Sequence, residues 1–162
     1  MVTLREVREE DRQLLWNLNQ KYLYEMTQYY HNEMDEEGNI IYGYFERYFT
    51  DPERKAFLIE SGGIVSGFAF IHPYSLIKGN PDHTMAEFTV FPAYRGKHIG
   101  EAAVREIFSM FPGRWEIKYH ERNLPAKTFW NRMTEAYHPS HVSYSDQETV
   151  LVFSTEQKEN QL

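Results

Sequence analysis

Ala86-Glu87-Phe88-Thr89-Val90-Phe91-Pro92-Ala93-Tyr94-Arg95-Gly96-Lys97-His98-Ile99-Gly100 reads as a strand, a proline stop and a short basic loop entering a helix. Backbone N–H groups at such a helix start have no partner inside the helix. They also lie at the positive end of its dipole, which suits a pyrophosphate. Arg95 and Lys97 add positive charge, and Gly96 and Gly100 let a ligand approach the backbone closely. The Gly-x4-Gly-Lys-Ser/Thr spacing of a P-loop is absent, and so is Gly-x-Gly-x-x-Gly. From residue types alone the segment is either an anion-binding turn or a plain strand-to-helix connection.

Outward from this segment, the chain alternates short strands with amphipathic helices. Val2, Leu4 and Val7 mark a first strand over residues 2–7. A helix follows, with Glu9, Glu10 and Asp11 in its first turn and an apolar stripe of Leu14, Leu15, Leu18 and Tyr22. Residues 25–38 are polar and acidic, a loop or a frayed helix. Ile40, Ile41, Tyr44, Phe45, Tyr48 and Phe49 predict a second amphipathic helix closed by Asp51-Pro52. Residues 55–61 and 64–72 are apolar runs joined by Ser61-Gly62-Gly63, a hairpin signal. Residues 77–83 form a turn-rich connection before a strand over 84–91. Downstream come a helix over 99–111, broken by Pro112-Gly113, and a strand through Trp115, Ile117 and Tyr119. A short helix over 125–133 and a last strand over 149–153 complete the order, with one further strand expected near 137–144. The expected class is α/β (α+β): one domain, a mixed, mostly antiparallel twisted sheet of 6–7 strands with helices on both faces.

The composition narrows the function classes. The chain has 162 residues and a net charge of −7, and its hydrophobic content of 41% is ordinary for a globular domain. There is no cysteine, hence no disulfide, zinc-thiolate or thiol nucleophile. No apolar run approaches the ~18 residues of a membrane span, and Met1 to Glu6 lacks a signal-peptide layout. A cytoplasmic protein without membrane or nucleic-acid partners is expected, since an acidic chain repels phosphate backbones. The charge is uneven. Residues 1–60 hold 13 acids and 7 bases, a balance of −6, and the remainder hold 11 and 10, a balance of −1. His138-Pro139-Ser140-His141 has a ligand-like gap, but Pro139 opposes a regular helix and no carboxylate adjoins it, so no metal site is expected.

A second motif joins the first. Val90-Phe91-Pro92 followed by Arg95-Gly96-Lys97-His98-Ile99-Gly100, then Asn123-Leu124-Pro125-Ala126-Lys127-Thr128-Phe129-Trp130, resembles the GCN5-related N-acetyltransferase (GNAT) superfamily. The family's Gln/Arg-x-x-Gly-x-Gly/Ala motif matches at its first and last positions and in spacing, with His98 where the middle Gly usually stands. Asn123 and Ala126 match its Asn-x-x-Ala turn. Glu87-Phe88-Thr89-Val90, Pro112-Gly113-Arg114-Trp115-Glu116 and Phe129-Trp130 are also similar to a branch of uncharacterised predicted acetyltransferases. The resemblance covers nearly the whole chain, and it implies an acetyltransferase domain over 1–154 with a polar tail over 155–162.

Carried over, the resemblance implies acetyl-CoA as co-substrate and direct transfer to a primary amine. Backbone groups of Phe88, Thr89 and Val90 would meet the pantetheine arm, with the Val90 N–H on the developing oxyanion. The backbone of Gly96, Lys97, His98, Ile99, Gly100 and Glu101 would hold the pyrophosphate, with Arg95 at the loop's entry. Asn123 would hydrogen-bond the pantetheine, and Phe129 or Trp130 would line the thioester, unless these two are ordinary core. Glu87 is the candidate base, since a carboxylate on an apolar strand takes up a proton more readily. Its alternatives are a structural ion pair or simple binding of the cationic acceptor. The family's tyrosine acid falls at Trp130, whose indole N–H is not acidic enough for the role, so Tyr137 is the candidate acid, with Tyr119 or water alone, given a fair thiolate leaving group, the other choices.

Seven of the twelve tyrosines lie between Tyr22 and Tyr48, interleaved with Glu25, Glu33, Asp35, Glu36 and Glu37. The resemblance makes this region a wall of the acceptor site. Tyrosine faces and carboxylates both attract ammonium groups, so Tyr29, Tyr30, Glu25 and Glu87 are expected to bind a small cationic amine. The plain alternative is core tyrosines beside a solvated acidic loop. Two other functions stay open: a non-catalytic acyl-CoA-binding regulatory module, and a Tyr-rich interaction domain forming a homodimer.

Overall fold

A computed structural model describes residues 1–156. Its strands are β1 (Val2–Glu6), β2 (Lys55–Ser61), β3 (Ile64–His72), β4 (His83–Val90), β5 (Arg114–His120), β6 (Ser140–Ser145) and β7 (Glu148–Ser154). They hydrogen-bond in the order β1-β2-β3-β4-β5-β7-β6. The pairs β1–β2, β5–β7 and β6–β7 are antiparallel and β4–β5 is parallel, which makes the sheet mixed as expected. Helices among the described residues are α1 (Arg12–Met26), α2 (Arg47–Thr50), α3 (Ile99–Met110) and α4 (Leu124–Thr134).

The chain gathers into two compact units. One comprises residues 1–70 and 87–103, the other residues 71–86 and the chain from 104 onward. In the first, β1 pairs with β2 from Val2↔Ser61 to Glu6↔Phe57, and β2 turns into β3 through Gly62-Gly63. Both glycines have positive φ, 58° and 79°, as a two-residue hairpin turn requires. Helix α1 buries Leu15, Asn19 and Leu23, one residue per turn, whereas Leu14 is exposed. Asn19 is fully buried, and neither amide atom finds a hydrogen-bond partner among the described residues.

The helix expected over 40–49 is not formed. Only Arg47–Thr50 is helical. The reason is a clamp from α1: the Gln20 side-chain amide donates to the Ile40 carbonyl at 2.8 Å and accepts from the Ile40 N–H at 2.7 Å. Ile40 also bridges Met34, so both its backbone groups are committed outside any helix. Ile40, Phe45 and Tyr48 are still buried, but as side chains of a turn-rich segment.

In the second unit, β5 lies beside β7 along its whole length, from Arg114↔Ser154 to His120↔Glu148. Trp115 is fully buried under Phe108 of α3, with ring centroids 5.2 Å apart, and Phe108 also meets Phe153 at 5.6 Å. Glu116, 1% exposed, accepts from Ser75 Oγ at 2.7 Å and from the Leu76 N–H at 2.6 Å, which fixes the connection between β3 and β4. The Thr155 N–H donates to the Gly113 carbonyl at 2.9 Å; the rest of the expected tail, from residue 157, lies outside the described residues. No helix among the described residues is long and apolar enough to cross a membrane.

Candidate active site

The parallel ladder between β4 and β5 spans three pairs, His83↔Trp115 to Met85↔Ile117, and β4 continues alone in that register to Val90. On its other edge β4 stays close to β3. A Cβ on Gly67 would lie 2.0 Å from the Thr89 carbonyl oxygen, so only glycine allows this approach. The Phe91 N–H donates to the Ser66 carbonyl on β3 at 2.8 Å. Alternation along an extended chain then turns the Val90 N–H and C=O to the opposite edge. There the Val90 carbonyl accepts from Arg95 Nε at 2.6 Å.

Pro92-Ala93-Tyr94 make one 3-10 turn, after which Gly96 (φ 78°) and His98 (φ 61°) both take left-handed backbone before α3 begins. The His98 side chain is 87% exposed, so the imidazole leaves the loop for solvent instead of filling it. Space over Gly96 is open, with no atom within 4 Å of a would-be Cβ. Ile99 seats the helix start in a core with Val90, Ile59 and Ala103, against which Phe88 and Tyr94 pack. The first N–H groups of α3 thus stand at a rigid, glycine-lined opening with Lys97 exposed beside it. This arrangement fits an anion. Arg95 is already engaged: besides Val90 it reaches Glu25 Oε1 at 2.8 Å, tying the loop to the last turn of α1.

Glu87 is half-buried on β4 and its charge acts on three phenols. Tyr22, Tyr42 and Tyr48 all lie within electrostatic reach of its carboxylate. Burial, and after it the Glu87 charge, pushes all three phenols above the ordinary tyrosine value. The rings stand on β3: Tyr22 edge-on to Phe68 at 5.6 Å, Tyr48 stacked on Phe70 at 4.1 Å and Tyr42 on Phe70 at 6.0 Å. Tyr30 lies within electrostatic reach of Tyr22. Tyr29 closes the turn after α1, its N–H donating to the Met26 carbonyl at 2.9 Å.

Of the expected site residues, Glu25 and Arg95 are brought together across 70 positions of sequence. Glu87 is brought to Tyr22, Tyr42 and Tyr48, which sequence reasoning did not single out as site residues. The tyrosine cluster was the available signal, but Tyr22 fell on the apolar stripe of its helix and read as core. In the second unit, Asn123 caps α4, its Oδ1 accepting from the Ala126 N–H at 3.2 Å. Trp130 is 6% exposed and meets Phe129 edge-on at 4.9 Å. Tyr137 is held between Phe153, stacked at 5.7 Å, and Phe108 at 5.9 Å. The Tyr119 hydroxyl accepts from Asn131 Nδ2 at 3.3 Å.

A family model described as the acetyltransferase (GNAT) family matches residues 13–134. No curated protein sequence matches the chain. Among solved structures, it is similar to an acetyltransferase from Thermus thermophilus, at 18% identity over 95% of this chain and 97% of that one, with a TM-score of 0.71. It is similar to the PaiA N-acetyltransferase of Thermoplasma acidophilum in complex with coenzyme A, at 12% identity over 95% and 99%, TM-score 0.67. A third is the ribosomal-protein-S18-alanine N-acetyltransferase of Escherichia coli, at 10% identity over 100% and 99%, TM-score 0.63. With three quarters of its length inside the family model and a fold shared with a solved acetyltransferase, the chain belongs to the GNAT acetyltransferases and is an acyltransferase.

Proposed function

We propose that this acyltransferase, a single domain over residues 1–154 working in the cytoplasm, moves an acetyl group from acetyl-CoA directly to a primary amine of a small cationic acceptor. The observation that carries the amine assignment is Glu87, a half-buried carboxylate within electrostatic reach of the phenols of Tyr22, Tyr42 and Tyr48. Such a pocket attracts an ammonium group by charge and by the ring faces, and it provides an acceptor for the proton that the ammonium must lose. The donor assignment is supported by the loop from Gly96 to Glu101, which passes through two left-handed residues into the start of α3, where the first N–H groups have no partner inside the helix.

When bound, acetyl-CoA supplies an activated thioester. The chain's own residues do the rest. The loop backbone holds the pyrophosphate, and Lys97 adds charge. Backbone groups of Phe88, Thr89 and Val90 would hold the pantetheine, and Asn123 and Trp130 keep, on the resemblance alone, the roles of a pantetheine hydrogen bond and of the acyl-end lining. The Val90 N–H donates to the carbonyl oxygen, whose negative charge grows as nitrogen adds. Glu87 would take one proton from the ammonium group; the freed nitrogen would bond to the carbonyl carbon and give up its second proton to solvent as the carbon–sulfur bond breaks, and the departing thiolate would take up a proton. Tyr137 is the candidate donor to the departing thiolate. Tyr29 and Tyr30 continue the acceptor wall, and Glu25 adds little net charge there because Arg95 neutralises it.

Two measurements test this reading. Isothermal titration with acetyl-CoA should give saturable binding; none at high micromolar ligand removes the donor. Thiol release should then be faster with polyamines, aminoglycosides or basic peptide ends than with neutral amines of equal size, and equal rates would remove the cationic acceptor. Glu87→Gln should lower kcat by about 10²- to 10⁴-fold, the range of general-base catalysis, with acetyl-CoA affinity unchanged. Unchanged turnover would take Glu87 out of the chemistry.

A further inference from the structure

We propose that Arg95 is a positioning residue for the Val90 peptide and not a ligand of the pyrophosphate: held by Glu25, its guanidinium locks the end of β4 so that the Val90 N–H faces the thioester. The inference rests on the reading above that this N–H receives the oxyanion.

The peptide joining Val90 to Phe91 is pinned from both sides of the strand. On one side the Phe91 N–H donates to the Ser66 carbonyl of β3 at 2.8 Å. On the other the Val90 carbonyl accepts from Arg95 Nε at 2.6 Å and from Thr89 Oγ1 at 3.4 Å. A peptide is planar, so bonds at its two opposite ends fix its tilt. A carbonyl oxygen has two lone pairs, and here both are engaged. At this edge Val90 therefore offers an incoming thioester only its N–H, which points the same way as its carbonyl in extended backbone.

Arg95 is itself held. The turn through Pro92-Ala93-Tyr94 is closed by the Tyr94 N–H on the Phe91 carbonyl at 2.8 Å, and it returns Arg95 to the strand that the chain has just left. Arg95 Nη2 reaches Glu25 Oε1 at 2.8 Å in the last turn of α1, which carries no base of its own. A guanidinium there offsets both the carboxylate and the negative end of the helix dipole. Its planar fork thus donates to β4 through Nε and to α1 through Nη2, a division that a point charge cannot reproduce. Lys97, exposed in the same loop, is the better placed cation for a phosphate. The arrangement also suits the chemistry. As nitrogen adds to the thioester, negative charge grows on its oxygen, and a free Val90 carbonyl beside it would repel that charge. Engaged by a cationic N–H, the carbonyl no longer opposes it.

The test compares Arg95→Gln with Arg95→Leu in the full chain. Gln Nε2 stands as many bonds from Cα as Arg Nε, so Gln keeps a donor for the Val90 carbonyl and drops the charge, whereas Leu drops both. An interaction made only in the transition state lowers kcat and leaves KM in place. Arg95→Leu should lose roughly 10- to 100-fold in kcat. Arg95→Gln should recover most of it, with KM for acetyl-CoA close to wild type in both. Equal losses in the two variants overturn the proposal, as does a loss carried by KM alone or a wild-type kcat in Arg95→Leu. Should Arg95→Leu fail to fold, the wild-type chain labelled with nitrogen-15 carries the test. Its Arg95 Nε–H signal, identified by its loss in Arg95→Gln, should exchange slowly with water at neutral pH before and after saturation with coenzyme A. Fast exchange in the free protein, or protection lost when coenzyme A is added, overturns the proposal. Failure of the donor reading looks different: the wild-type chain would bind no acetyl-CoA in calorimetry while the Arg95 Nε–H stayed protected.

Discussion

His98 carries a backbone cost that glycine would avoid. At φ 61° its Cβ crowds the adjoining carbonyl, an arrangement worth about 1–2 kcal/mol against an L-residue. Its exposed imidazole makes a 3.5 Å approach to Glu101 in return, a surface contact of small value. His98→Gly should therefore leave stability within about 1 kcal/mol of wild type, since relief of strain is opposed by the entropy of an unfolded glycine. His98→Val should lower it by at least as much as the strain itself, because a β-branched residue is poorly tolerated there. Urea unfolding of the two variants checks this. If His98→Val is as stable as wild type, the loop is not left-handed in solution. Asn19 makes the opposite case, a buried side chain whose amide finds no partner among the described residues. Asn19→Leu should raise the unfolding free energy by about 1–2 kcal/mol, since it removes a desolvated polar group and adds apolar contact between Leu15 and Leu23.

At the scale of elements, β4 depends on a side chain that is missing. Gly67 lets β3 and β4 approach so closely that a methyl group would stand 2.0 Å from the Thr89 carbonyl oxygen. The obstacle is backbone, which cannot turn aside. Gly67→Ala should push β4 outward at Thr89 and Val90, lowering stability by about 1–3 kcal/mol and acetyl-CoA affinity together. A variant with wild-type affinity would separate β4 from cofactor binding. The same elements show what was legible beforehand. The passage from β4 through Pro92 into α3 could be read because its signals are local: alternation, a proline stop and glycines at the helix entry. The segment before α2 could not. Its apolar spacing suits a helix, yet Gln20, twenty positions away, takes both backbone groups of Ile40. Likewise Glu87 stands out as a carboxylate on an apolar strand, but the reach of its charge to Tyr22 depends on how α1 lies over β3, which no local pattern encodes. Arg95 was read as a phosphate ligand for the same reason, and its contact with Glu25 needed the fold.

For the molecule as a whole, the phenols around Glu87 set a limit at high pH. In the folded chain Tyr22, Tyr42 and Tyr48 lose their protons well above the ordinary value of 10.0, which the unfolded chain restores. More than about one pH unit below that value both states hold these protons, and the groups impose almost no pH dependence. Above it the folded chain binds more protons than the unfolded chain, so stability must fall as pH rises, by up to about 1.4 kcal/mol per pH unit for each phenol. Urea unfolding should therefore give a free energy nearly flat up to about pH 9, bending down through about pH 10 and dropping steeply by about pH 11. Replacing one of the three by Phe should remove about a third of that slope. Burial outranks the Glu87 charge as the cause in all three, so Glu87→Gln should leave most of the slope in place. A slope abolished by Glu87→Gln would mean that charge dominates, and that water reaches the rings far more freely than their packing on Phe68 and Phe70 implies. A pocket that wet would also leave Glu87 an ordinary surface carboxylate, so the alkaline slope measures the enclosure on which a base at this position depends.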